Sequence, residues 1–206
     1  MDILEIRDCL ESMVVLVDSR EHLSRRAEKR YEAFGVPYER RTLDYGDYAY
    51  DFTLPSGKRF YGGENGARVY PDVVVERKMS LDEAASCFAT QRERFKREFE
   101  RARANGARVY LLIENATPEG IINGRYRSRL HPNAFLASLM AWLARYDMRL
   151  IMCKSDTSGR MIKEILYREL KERLEDGRIK CEESGSQEDT HPEEKPEDKH
   201  QRGDKD

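Results

Sequence analysis

The residues whose types and spacing can do chemistry cluster at the end of Val73-Val74-Val75-Glu76-Arg77-Lys78. In an extended strand residues two apart share a face, so Glu76 and Lys78 point one way and Arg77 the other. A carboxylate can hold a hard divalent cation, and an ammonium beside it can position a water or stabilise negative charge building on a phosphate. Asp82, at the start of the following helix, can return to the same edge. These residues also have an ordinary explanation, since strand ends and helix starts are often charged and an Asp in a first helical turn favours the dipole. Two further carboxylates shift the balance. Asp18 ends the apolar run Val14-Val15-Leu16-Val17, and Asp47 follows Gly46 just ahead of Tyr48. Several acids can therefore converge on one edge of one sheet, where ligands of open α/β sheets tend to lie.

The elements that must position them follow from apolar periodicity and turn residues. Residues 14–17 read as a buried central strand, and residues 20–34, closed by Gly35 and Pro37, as a helix. Residues 38–42 predict a second strand. Gly46 makes a turn, and residues 48–54 predict a third strand joined through Pro55-Ser56-Gly57-Lys58 to another near Phe60, a hairpin. A Gly-rich loop, Gly62 to Gly66, precedes the strand 73–78. Ser80 followed by Glu83 fits a capping box, which predicts one helix from about Leu81 to Ala104, stopped by Asn105-Gly106. Phe88, Phe95, Phe99 and Ala102 lie on its apolar stripe. A strand at 108–113, a loop at 115–131, a helix at 132–146, a strand at 149–153 and a helix at 159–174 complete the pattern. Strands alternating with helices of this length imply an α/β sandwich with a largely parallel or mixed central sheet flanked by helices and a hairpin among the early strands.

Composition bounds the reading. The chain has 206 residues, 39% of them apolar, enough for one domain with a real core. The expected layout is an N-terminal extension at 1–12, one domain at 13–176 and an acidic, disordered tail at 177–206, whose composition cannot offset its chain entropy. Charge is abundant, at 37% of residues, and unevenly spread. From Cys181 onward ten acidic residues face four basic ones, or −6, so the formal net charge of −2 leaves residues 1–180 at +4. A mildly basic body is compatible with a phosphate partner. The four cysteines are scattered, without a C-x-x-C pair or zinc-ligand spacing, which argues against a structural zinc and a disulfide framework. No apolar run approaches the roughly 18 to 20 residues of a membrane span and no signal peptide is apparent, so a cytoplasmic protein is expected.

Gly46-Asp47-Tyr48 followed by Glu76-Arg77-Lys78-Met79-Ser80-Leu81-Asp82 resembles the Gly-Asp and Glu-Arg-Lys-x-x-x-Asp pattern of the XPF-type structure-specific endonucleases, a branch of the restriction-endonuclease-like fold. Val17-Asp18-Ser19-Arg20-Glu21 is similar to that family's opening strand and turn, Gln91 sits where its helix often has Gln, and Leu112-Ile113-Glu114 matches its next strand. The likeness covers about residues 13 to 174. It implies that Asp47, Glu76 and Asp82 bind a magnesium or manganese ion, that Lys78 lies near the attacking water, that Asp18 adds an acidic contribution, and that Arg20 and Arg77 are basic site positions. Such an ion lowers the pKa of water attacking a phosphodiester and neutralises the developing charge. Many relatives continue into tandem helix-hairpin-helix modules and some carry a helicase. Here the fold runs out near Glu175, which leaves preference for a particular DNA junction open.

Outside this constellation, Arg125-Tyr126-Arg127-Ser128-Arg129 interleaves three cations with an aromatic and a hydroxyl, a pattern suited to phosphates and to stacking on an unpaired base. The charges of residues 92–103 fit a solvated, salt-bridged helix face. Phe135, Leu139, Met140 and Leu143 form a wide apolar face, mostly core, part of which can serve a homodimer. His22 follows the Asp-Ser-Arg-Glu turn and reads as a surface residue. The sequence thus predicts a metal-dependent DNA endonuclease acting on flap, fork or branched DNA in repair or recombination. A catalytically silent DNA-binding subunit of the same fold is the alternative, and an unrelated α/β protein with charged strand ends is the remaining one.

Overall fold

The computed structural model describes residues 1–62 and 68–179. Most of the Gly62 to Gly66 loop, Cys181 and nearly all of the acidic tail lie outside the described residues. Six strands form one sheet in the order β2-β1-β3-β4-β5-β6: β1 (Val14–Asp18), β2 (Tyr38–Arg41), β3 (Tyr48–Asp51), β4 (Val73–Lys78), β5 (Arg108–Glu114) and β6 (Arg149–Cys153). β1 pairs parallel with β2, and β4, β5 and β6 pair parallel in turn, while β3 runs antiparallel to both β1 and β4. Every strand except β3 therefore points the same way. The carboxyl ends of β1, β4 and β5 and the amino end of β3 meet at one edge, which is how residues far apart in sequence reach one place.

β1 is buried along its whole length, as its unbroken apolar run requires of a strand covered on both faces. Alternate residues feed two cores. Leu16, Ala49 and Val74 pack with Phe88, Phe95, Phe99 and Trp142 under α3 (Leu81–Phe88), α4 (Arg92–Ala104) and α6 (Pro132–Tyr146). Val15, Val17, Tyr48, Val73, Val75 and Leu112 pack on the other face, under α1 (Ile3–Glu11), α2 (Arg25–Glu32) and α7 (Ser158–Glu175). Each such aliphatic side chain contributes about 1.5–3 kcal/mol by leaving water. By the same alternation Glu76 and Lys78 face α3 and α4, whereas Arg77 faces α2 and α7.

The N-terminal extension is helical: Asp2 and Glu5 form a capping box, and α1 packs on α7 with Cys9 buried. Four expectations are corrected. The helix expected at 20–34 starts only at Arg25, because Ser24 is its N-cap and residues 20–21 fold back on Asp18. No strand forms near Phe60. A single antiparallel bridge, Thr53 to Arg59, stands there, and the Asp51 carboxylate accepts the backbone N–H groups of Phe52 and Tyr61 together with the Arg59 guanidinium. The helix expected at 81–104 is two helices, broken at Ala89, where φ is −107° and ψ −93°. The break lets Phe88 and Phe95 both meet the Trp142 ring, at 5.0 and 5.4 Å. Finally, the loop at 115–131 contains α5 (Pro118–Ile122), capped by the Thr117 hydroxyl with Pro118 at its first position. No helix among the described residues is long and apolar enough to cross a membrane.

Candidate active site

At the shared sheet edge the pair Gly46-Asp47 threads between β1 and β4. Gly46 has φ +74°, and a Cβ there would lie 2.6 Å from the Val74 Cβ, so the position excludes any side chain. Asp47 is held on both sides: its N–H donates to the Val75 carbonyl at 3.0 Å, and its own carbonyl accepts the Asp18 N–H at 2.9 Å. Its Oδ2 accepts the Arg77 backbone N–H at 2.7 Å. Glu76 and Lys78 are both buried, as neighbours on one face of β4. The Lys78 ammonium donates to Glu76 Oε1 and sits 5.1 Å from the centre of the Phe95 ring. Glu76 Oε2 is buried with no hydrogen-bond partner.

These groups form the floor of a cleft of about 270 Å³, lined also by Asp18, Arg20, Glu21, Arg77, Glu83, Gln91 and Glu98. Asp18 is buried and tied to Arg20, whose backbone and side-chain nitrogens both donate to its carboxylate, while the largely exposed Arg20 guanidinium also reaches the Leu43 carbonyl at 2.8 Å. Arg77 is bracketed by Glu21 and Glu114, each at 3.4 Å. Glu114 in turn accepts from Arg30 at 3.2 Å, which makes a buried network behind the cleft.

Burial pushes the Asp47 carboxyl up to about 6, with the Glu21 charge adding to it and the Lys78 charge and the Arg77 N–H opposing. Burial likewise lifts Glu76 well above the usual carboxylate range, reinforced by Asp47 and opposed by Lys78. Burial alone would lower Lys78, but the Glu76 and Asp47 charges outweigh it and hold the ammonium protonated. The cleft thus holds two carboxylates whose charges are incompletely offset, and one carboxylate oxygen without a donor. That donor set fits magnesium, which keeps several waters and takes one or two carboxylates. Among the described residues no group of three His, Cys, Asp or Glu side chains is placed to hold a metal ion.

The structure brings together Asp18, Arg20, Asp47, Glu76, Arg77 and Lys78, but not Asp82. Asp82 does not line the cleft, and its carboxylate accepts the backbone N–H of Arg127, which ties the basic loop to the start of α3. Ser80 caps α3 as expected, yet Glu83 returns to the Met79 N–H at 2.7 Å instead of to Ser80. In the loop, Arg125, Arg127 and Arg129 are exposed. Tyr126 is half-buried: its ring packs edge-on against Phe135 at 5.4 Å and its hydroxyl donates to the Leu130 carbonyl at 2.8 Å. Sequence reasoning missed Glu98, which accepts the Gly46 N–H at 3.2 Å. Its place between Phe95 and Phe99, at the border of the apolar stripe of α4, was the signal that could have found it.

The model of the ERCC4 domain family matches residues 17–165. Among solved structures, XPF from Aeropyrum pernix is similar at 26% identity with a TM-score of 0.52, over 80% of this chain and 68% of that one. XPF from Aeropyrum pernix in complex with DNA aligns at 23% identity with a TM-score of 0.48, over 82% and 68%. A comparison with curated protein sequences gives no match. The family match spans the strands and helices that build the cleft, and the chain belongs to the ERCC4 domain family as an XPF-type nuclease domain.

Proposed function

We propose that this chain is a divalent-cation-dependent endonuclease that hydrolyses DNA phosphodiesters, acting on flap, fork or branched DNA in repair or recombination. The observation that carries the reading is the pairing of Asp47 with Glu76, whose Oε2 lacks a donor, beside the protonated Lys78 in an open cleft. Asp47 and Glu76 would hold magnesium or manganese, which supplies charge neutralisation at the phosphate and a lowered pKa for the attacking water. Lys78, fixed by Glu76 and Phe95, stabilises negative charge on the phosphoryl oxygens as the P–O bond to the leaving alcohol breaks. Arg20, anchored on Asp18 but exposed, is placed to meet a neighbouring phosphate, and Arg125, Arg127 and Arg129 extend that reach as backbone contacts.

The test is a cleavage panel of labelled single-strand, duplex, flap, fork and four-way-junction DNAs with magnesium or manganese. Cutting by the native chain, lost by at least about a hundredfold in Asp47→Ala and Lys78→Ala, is expected. Cutting retained in both variants would remove the assignment of the site. The diversion of Asp82 to Arg127 is the observation that favours a second reading, a DNA-binding subunit that does not cut. DNA binding without nicking at any metal concentration would select it. We also propose a homodimer, supported by Met140 on α6 and Ile122 on α5, which are both about half exposed on adjacent helices.

A further inference from the structure

A second cavity, of about 480 Å³, opens on the α2 and α7 side of the sheet edge and shares Glu21 and Arg77 with the cleft. Its volume lies within the roughly 300–1,000 Å³ of small-ligand pockets. The charges of its inner wall are largely spent: Arg77 pairs with Glu21 and Glu114, and Arg30 with Glu114. Arg26 and Lys29 are different. Both line the cavity, both are exposed, and neither has an ion-pair or hydrogen-bond acceptor among the described residues. They lie three apart on α2, so their heads share one face of that helix. Asp156 is the one lining acid that no cation engages among the described residues. Met79, the residue after Lys78, also lines this cavity with its side chain 54% exposed, an apolar group where β4 ends.

Two uncommitted cations and an exposed thioether, beside a wall held in common with the cleft, match a nucleotide better than a simple ion. We infer that this cavity is a second nucleic-acid subsite, in which Arg26 and Lys29 take a backbone phosphate and Met79 lies against the base of a strand leaving the cleft. The inference rests on the nuclease reading above and adds to it where one strand goes. A strand is preferred over a free mononucleotide because the shared Glu21–Arg77 wall makes the two cavities neighbours along one path.

The test uses the exposed double variant R26A/K29A, with thermal melting to check that it folds. Fluorescence anisotropy would follow its binding to labelled forked DNA and to blunt duplex over a range of salt. The expected result on the fork is an affinity about tenfold weaker and a log–log salt slope shallower by about 0.7–0.9, the one lost phosphate contact. M79A should weaken fork binding without changing that slope, since it carries no charge. A native chain that cuts DNA while R26A/K29A binds the fork with unchanged affinity and slope would overturn this inference and leave the nuclease reading standing. Unchanged fork binding together with a melting shift by deoxythymidine monophosphate, seen only in the native chain, would assign the cavity to a free nucleotide instead. A native chain that neither binds nor cuts any DNA would remove both readings.

Discussion

Asp47 is under opposing demands, because a carboxylate withdrawn from water is costly when ionised yet useful when a cation arrives. With its pKa raised from 3.8 to about 6, the folded chain keeps a proton that the unfolded chain has already lost. Stability contributed by this group therefore falls as pH rises across that window, and above it the full cost is present. Asp47→Asn should raise the melting temperature at pH 7 by a few degrees, about 1–2 kcal/mol, while abolishing cutting. It should also flatten the pH dependence of melting between about 4 and 6. A lower melting temperature for the variant at pH 7 would contradict that account. Asp82→Asn separates the two acids differently. Magnesium should raise the melting temperature of the native chain and of this variant alike, whereas Asp47→Asn should lose that shift. DNA affinity should weaken in Asp82→Ala, which removes the acceptor of the Arg127 N–H and so the anchor of the basic loop. Equal loss of the magnesium shift in both Asn variants would restore Asp82 to the ligand set. The types and spacing of Asp18, Asp47, Glu76 and Lys78 made their convergence legible beforehand. The direction of the Asp82 carboxylate was not, because a backbone N–H 45 residues away decides it.

At the level of elements, strands were the more readable. The apolar runs at 14–17, 73–78 and 108–113 became strands within a residue, since burial on both faces leaves little choice of register, whereas the strand expected at 48–54 stops at Asp51. Helix continuity was less readable. Residues 81–104 keep helical spacing throughout, and the interruption at Ala89 answers to Trp142, a tertiary partner on α6 that local propensity does not contain. α5 is five residues long and carries too few apolar positions to show a period. The segment most sensitive to substitution is the turn before β3. Gly46→Ala would demand a left-handed backbone and push a methyl against Val74 in the core. A loss of about 2–4 kcal/mol in urea unfolding is expected, with cutting reduced beyond what the unfolded fraction explains, because Asp47 moves with its neighbour. Unchanged stability would mean that β4 yields more easily than its packing indicates.

Over the whole molecule, a strand direction shared by all but β3 collects the site, and two helical layers protect it. The outer apolar residues Ile122 and Met140 bear on assembly. Light scattering of the native chain should give the mass of two copies, and Met140→Asp should give one, with melting little changed because the side chain is about half exposed. A single-copy mass for the native chain would end the homodimer proposal. The α/β class and the single domain followed from the alternation of periods along the chain. The first helix did carry a signal, Asp2 and Glu5 at capping-box spacing with Ile3, Ile6 and Leu10 along its turns, but it is short and lies ahead of β1.

One detail of the cleft reaches beyond its own residues. Asp47 has one oxygen committed to a peptide N–H and Glu76 one committed to an ammonium, so each approaches an ion with a single atom. Chelation of an ion through both oxygens of either carboxylate would have to share an oxygen already engaged. Calcium, with its larger radius and six to eight ligands, is poorly matched by so sparse a set, whereas a small octahedral ion that retains its own hydration is not. If the proposed magnesium-dependent reading holds, that backbone contact and that lysine would favour the smaller ion.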